Sequence, residues 1–369
     1  MRLLRIILTL FTLLTAVITI LSAYAGMINP LTWALPSVLA MIFPIMTVVS
    51  LVLILINLFI CRKASAIGAL SLICCWNPLL TLCPLNFTAP DAGGQPLRLI
   101  TYNVLQLEDF TGGTGSGEPN PTLRQIAGCG ADFVALQECH EISSLVCTDA
   151  NRHLLDTIGQ IYPYQSYGAR GQSLLSRYPF EEITLTEANS DDFRVRAFRI
   201  FVDSDTLTLF DVHLQSIGLT SDDKRLYRDL TRGDTQGKGI RSELRDIRTD
   251  LISKLTAAFR ARAVQAAKLR EMIAETGGKC IVCGDFNDVP GCYAIRTLTD
   301  TGMLDAWRES AIGPAITYHA SRLYFRIDHI LYSPEIVTPL RTRRLDWPYS
   351  DHYPVEMTFV LHQTTSSSD

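Results

Sequence analysis

Three long apolar stretches open the chain, Leu3 to Ala23, Ser37 to Ile60 and Ala64 to Leu82. Each is long enough to cross a hydrocarbon core about 30 Å thick, so the pattern predicts three membrane helices over residues 1–85. Trp76 and Pro78 interrupt the third, and Pro84 follows it. Residues 86–96 have linker composition, ending in Gly93-Gly94-Gln95-Pro96. From Leu97 the apolar positions change to short runs and alternations, the mark of strands. Leu97 to Asn103 alternates, Asp132 to Glu138 is an apolar run that stops in a carboxylate, and Thr206 to Gln215 places Asp211, His213 and Gln215 on one face. Cys280 to Cys283 reads as a buried strand, with Gly284 and Pro290 marking the loop beyond it. Arg326 to Tyr332 and Val355 to Leu361 read as the last strands. Between them, Ala263, Ala266, Leu269 and Ile273 form one face of a helix from Arg262 to Thr276, which Gly277 ends. Alternating strands and helices over residues 97–362 predict a single α/β domain, followed by a polar tail at 363–369.

Charge fixes how the two parts relate. No Asp or Glu occurs before Asp91, and the basic residues there are Arg2, Arg5, Arg62 and Lys63. These sit at the start of the first apolar stretch and between the second and third, which places the N-terminus and that loop in the cytoplasm. The domain after Leu97 is then expected outside the cytoplasm, on an integral protein of the plasma (inner) membrane. Ser22-Ala23-Tyr24-Ala25 also resembles a signal-peptidase site, and removal of the first stretch would leave the sidedness unchanged. A buried hairpin of a soluble protein is the competing reading, against which the absence of carboxylates argues. All 37 acidic residues but only 29 of the 33 basic ones follow Pro90, so this part carries a net charge of about −8. That weighs against polymeric nucleic acid as the partner.

Polar residues recur where strands end: Asn103, Glu138, His213, Asp285 with Asn287, and Asp351 with His352, while Asp328 lies within a strand. Each alone has a structural explanation, as a turn residue, a solvated strand end, an ion-pair member or a cap. Together they are hard to assemble without a shared purpose. Carboxylates gathered at buried strand ends are costly unless paired or metal-bound, so the pattern implies a cation.

Seven short motifs in order make the pattern specific: Thr101-Tyr-Asn103, Leu136-Gln-Glu138, Leu175-Ser-Arg-Tyr-Pro179, Val212-His-Leu214, Gly284-Asp-Phe-Asn287, Ile327-Asp-His329 and Ser350-Asp-His352. The series resembles that of the endonuclease/exonuclease/phosphatase superfamily, the DNase I-like metal-dependent phosphoesterases. The resemblance implies a four-layer αββα sandwich and a phosphoesterase site using Mg²⁺ or Mn²⁺, as suits oxygen ligands. It implies Glu138 as principal metal ligand, with Asn103 and Asp351 at the metal. It makes Asp285 the group that orients and deprotonates water, and Asn287 a contact to phosphoryl oxygen. His352, paired with Asp328, becomes the cationic or proton-donating phosphate contact, and His213 a candidate acid for the leaving oxygen.

The remaining features leave alternatives open. The charged insertion from Ser216 to Arg260 either shapes substrate access or is a solvated helical hairpin. The glycine-rich loop Thr111 to Gly117 lacks the following Lys-Ser/Thr of a phosphate cradle. Six cysteines lie in the outward domain, and Cys139 with Cys147 is the pair expected to bond. Cys280 and Cys283 would point to opposite faces of a strand and form no metal or redox pair. The reading is a membrane-embedded phosphoesterase acting on a lipid, nucleotide or other small phosphodiester or phosphomonoester. A nuclease is the first alternative, and a non-catalytic membrane-tethered binding module the second.

Overall fold

The computed structural model describes residues 2–115, 117–185, 194–218 and 240–362; the expected tail and the middle of the charged insertion lie outside these. The N-terminal region comprises α1 (Arg2–Tyr24), a 3-10 turn (Ala25–Met27), α2 (Leu35–Met41), α3 (Phe43–Ile60), α4 (Arg62–Cys74) and α5 (Trp76–Leu82). Two segments, Arg2–Met27 and Phe43–Ile60, are long and apolar enough to cross a membrane. The expected third span is instead a helix pair bent by 71° between Cys74 and Trp76. Pro78 explains the break, because its ring opposes the carbonyl four residues back, at Cys74, and supplies no N–H to it. That carbonyl accepts the Tyr24 hydroxyl at 2.6 Å instead.

Polar side chains link the N-terminal helices to one another. Asn57 donates to Thr12 Oγ1 at 3.0 Å, and Thr19 and Ser50 share a hydrogen bond of 2.9 Å. Gly68 lets α4 approach Ile54 of α3 closely; a Cβ there would lie 2.7 Å from the Ile54 side chain.

The rest of the chain builds two sheets. β1 (Leu97–Asn103), β2 (Phe133–Gln137), β3 (Tyr164–Tyr167), β4 (Ser173–Ser176), β11 (Val337–Arg344) and β12 (Val355–Leu361) form one, in the order β11-β12-β1-β2-β4-β3. β5 (Phe180–Ile183), β6 (Arg194–Val202), β7 (Asp205–His213), β8 (Ile281–Asp285), β9 (Leu304–Asp305) and β10 (Asp328–Tyr332) form the other, in the order β5-β6-β7-β8-β10-β9. β1 runs parallel to β2 and β7 parallel to β8, so their C-terminal ends emerge together. The remaining pairings are antiparallel.

Three apolar clusters separate the layers. Leu99, Phe133, Phe198, Leu209 and Phe359 fill the space between the sheets. Tyr102, Leu123, Ile126 and Ile158 pack α6 (Pro121–Gly128), α7 (Ile142–Val146) and α8 (Arg152–Ile161) on the outer face of the first. Phe210, Leu269, Ile273 and Leu298 pack α9 (Ile240–Glu275) and α10 (Tyr293–Thr299) on the second. α11 (Ala306–Ser310) lies beside β9. The expected four-layer αββα sandwich is therefore present.

The helix read from Arg262 begins far earlier, since α9 starts at Ile240 and takes in the end of the charged insertion. Opposite charges one turn apart favour helix there, as in the Asp250–Lys254 pair at 2.7 Å. Its end is as read: Gly277 and Gly278 take φ of 96° and 77°, and Gly278 N–H closes onto the Ile273 carbonyl at 2.9 Å. The expected Cys139–Cys147 disulfide is absent. Both are free thiols, Cys139 buried with its S–H directed at the His140 carbonyl and Cys147 exposed.

Candidate active site

Register brings the polar strand ends to one place. His213 of β7 lies level with Asp285 of β8, and Asp285 lies level with Asp328 of β10. Across the sandwich, Asn103 ends β1 and Glu138 follows β2. Glu138 and Asn287 both take left-handed backbone conformations, with φ of 52° and 51°. Such non-glycine residues are uncommon and concentrate where a site over-determines the backbone.

Asn103 ties the two halves together. Its Nδ2 donates to Glu138 Oε1 and to Asp285 Oδ2, each at 3.1 Å, so carboxylates from different sheets meet on one amide. His213 Nε2 stands 3.7 Å from Asp285 Oδ2 and 3.9 Å from Glu138 Oε1. His352 Nε2 stands 3.6 Å from the same Asp285 oxygen, and its Nδ1 is 2.9 Å from Asp328 Oδ2. Asp285 Oδ1 accepts the Asn287 N–H at 2.8 Å, which fixes the carboxylate. Six of the eight residues singled out from sequence thus converge within hydrogen-bond or ion-pair range. Asn287 sits at the same loop, but its side-chain amide donates to the Leu214 carbonyl at 3.0 Å. Asp351 lies one residue before His352, with its Oδ1 3.4 Å from Ser350 Oγ.

Electrostatics sorts the histidine. Burial lowers the proton affinity of His352, yet Asp328 and Asp285 outweigh it and raise the imidazole from 6.5 to about 10. Burial also raises the Asp328 carboxyl, against the pull of His352. The pair keeps its proton through neutrality, and we place it on His352, where Asp285 and Asp351 add to the attraction.

Among the described residues, Asp285, Asp328 and His352 offer ligating atoms all within 4.8 Å of one another, the spacing of a metal site. A protonated imidazole donates rather than ligates, so the better donors for a hard cation are the carboxylate of Glu138 and the side-chain carbonyl oxygen of Asn103. Glu138 Oε1 accepts only the Asn103 amide among the hydrogen bonds described, and the side chain is half-buried, open for ligation. The set fits a divalent cation of the Mg²⁺ class.

Several supports escaped the sequence reading. Tyr318 lies edge-on to the His352 ring at 5.0 Å between centroids. Burial, followed by Asp351, Asp285 and Glu138, raises its phenol well above the ordinary value, so the hydroxyl stays protonated beside the carboxylates. Thr317 Oγ1 accepts the Ile327 and Asp328 N–H groups at 2.9 and 3.1 Å. Ser350 Oγ donates to the Asn103 carbonyl at 2.7 Å. Beneath the site, between the sheets, Gln137 Nε2 donates to Asp211 Oδ1 at 2.6 Å, and burial pushes the Asp211 carboxyl far up. Buried Arg262 donates to Asp288 Oδ2 at 3.1 Å and to the Gln215 carbonyl at 2.9 Å, pinning the loops after β7 and β8.

Comparison with known families agrees with this architecture. The family "Endonuclease/Exonuclease/phosphatase family" matches residues 100–352, and "Domain of unknown function (DUF8431)" matches residues 5–82. Among solved structures, sphingomyelinase C from Streptomyces griseocarneus is 16% identical, covering 72% of this chain and 99% of its own, at a TM-score of 0.46. The human nocturnin catalytic domain with bound sulfate is 17% identical, covering 75% and 96%, at 0.45. A beta toxin from Staphylococcus aureus is 16% identical, covering 71% and 99%, at 0.44. No curated protein matches the sequence.

Proposed function

The chain belongs to the endonuclease/exonuclease/phosphatase family, and on that premise we propose that it is a membrane-anchored, divalent-metal-dependent phosphoesterase that hydrolyses phosphodiester bonds outside the cytoplasm. The carrying observation is the shared donor, Asn103 Nδ2, which gathers Glu138 and Asp285 from opposite sheets beside two histidines. Glu138, Asn103 and Asp351 would hold Mg²⁺ or Mn²⁺, which when bound neutralises charge on the phosphoryl oxygens.

Asp285, fixed by the Asn287 N–H, takes a proton from water; the water oxygen bonds to phosphorus as the bond to the leaving oxygen breaks. His213 gives a proton to that leaving oxygen. His352, kept cationic by Asp328, faces the equatorial phosphoryl oxygens, and Asn287 contributes a further amide contact. The substrate class is a lipid, nucleotide or other small phosphoester, in keeping with an acidic domain tethered to a membrane.

Hydrolysis panels of soluble phosphodiesters, phosphomonoesters, DNA and RNA, run with Mg²⁺, Mn²⁺ and EDTA, test the reading. Metal-dependent cleavage of small diesters supports it. Cleavage confined to nucleic acid would instead make the protein a nuclease, and no turnover of any phosphoester would leave the binding module.

A further inference from the structure

The anchor does not merely tether the catalytic domain; it is built into it. Gly26, two residues past α1, lies so close to the loop after β8 that a Cβ there would sit 1.9 Å from the Gly291 carbonyl oxygen. Arg326, buried and paired with Asp305 at 2.8 Å, also donates to the Thr81 carbonyl of α5 at 3.3 Å. Arg260 of α9 reaches the Pro30 carbonyl at 3.4 Å. Between these contacts remains a cavity of about 500 Å³, a volume in the range of small-ligand sites.

Its walls have two origins. Phe43 and Leu82, from the outer ends of α3 and α5, form an apolar side, and Val289 extends it on the catalytic loop. The catalytic domain adds charge of both signs to the same cavity: Arg296 and Arg308, with Asp300 and Glu309. Arg308 pairs with Glu309 at 3.3 Å. The depth is marked independently by aromatic residues. Tyr24, Trp33 and Trp76 are exposed at the outer ends of the apolar helices, where a belt of Trp and Tyr meets the headgroup layer. An apolar wall at hydrocarbon depth and a charged rim at headgroup depth match one amphiphile.

We propose that the cavity between the anchor and the loop that follows β8 is a binding site for a single phospholipid of the outer leaflet with a zwitterionic headgroup. The acyl chains lie against Phe43 and Leu82, the phosphate faces Arg296 and Arg308, and the ammonium group faces Asp300 and Glu309. A purely anionic headgroup would satisfy the arginines and meet the carboxylates with like charge. The site rests on the membrane-anchored reading of the first 85 residues and is independent of the hydrolytic chemistry.

Native mass spectrometry of the full chain in detergent micelles, titrated with phosphatidylethanolamine, phosphatidylglycerol or inorganic phosphate, tests it. One retained phosphatidylethanolamine per chain is expected, bound about tenfold more tightly than phosphatidylglycerol, with no retained phosphate. The double variant Arg296→Glu/Arg308→Glu should lose about tenfold in affinity, while Arg296→Lys/Arg308→Lys, which keeps the charges, should stay within about threefold of the parent. Retention equal in parent and Glu variants, or no headgroup preference, would overturn the site. Release of the protein from membranes by alkaline carbonate would instead overturn the anchoring on which it depends.

Discussion

His352 Nδ1 lies 2.9 Å from Asp328 Oδ2, and both side chains are buried behind Asp285. The contact holds the imidazole protonated up to about pH 10, against the lowering effect of burial. Replacing Asp328 by Asn removes its largest raising influence and leaves burial. The alkaline limb of kcat/KM should then move to lower pH, and activity at neutral pH should fall by about tenfold to a hundredfold. The pH profiles of parent and variant are the measurement. The same pair stabilises the fold: its contribution is complete below the ordinary histidine value of 6.5 and disappears as pH rises through about 10, because the folded state holds the proton more tightly. Parental and variant melting temperatures should therefore converge at alkaline pH.

Glu138→Gln keeps the shape of the side chain and removes its charge. Apparent affinity for Mg²⁺, read from activity against free metal concentration, should weaken by about tenfold or more. An unchanged metal requirement would remove Glu138 from the proposed ligand set.

Arg326→Ala should destabilise the full chain by about 3–5 kcal/mol in denaturant unfolding, since Asp305 would be left as an uncompensated buried charge. Arg326→Ala with Asp305→Ala together should cost less than the single change, because the second truncation removes that charge. The loss of the Thr81 contact should remain in both.

A reporter active only outside the cytoplasm, fused after Leu97 in place of the catalytic domain, should be active. The proposed sidedness has Arg62 and Lys63 holding the turn between α3 and α4 inside and the α4–α5 pair returning the chain. An inactive fusion would reverse the sidedness.

Much of this was legible because it follows from strand periodicity. Asn103, Glu138, His213 and Asp285 stand at or beside strand ends that their own sequences mark, while Asp328, read as lying within a strand, begins β10; parallel register of β1 with β2 and of β7 with β8, and antiparallel register of β8 with β10, gather them. Tyr318 was not legible, since it comes from an irregular segment and reaches His352 through a bridge between distant loops. Asp211 read as one polar position on a strand face, yet its meaning depends on Gln137 from the other sheet. The bend after Cys74 was signalled by Pro78, whereas the turns of α9 before Arg262, where Asp250 pairs with Lys254, lie in a charged stretch that periodic apolar positions do not report. The disulfide inferred from proximity in sequence failed because Cys139 turns into the core and Cys147 does not.

The central claim is that Asp285 activates water for attack on a phosphodiester in a metal-dependent site. Turnover of a soluble phosphodiester by purified parent and Asp285→Asn, each with Mg²⁺ and with EDTA, tests it most directly. The account predicts parental turnover that EDTA abolishes and excess Mg²⁺ restores, with a loss of about 10²–10⁴-fold in kcat for the variant and little change in substrate binding. Parental turnover by Asp285→Asn, or turnover by the parent indifferent to EDTA, would contradict it.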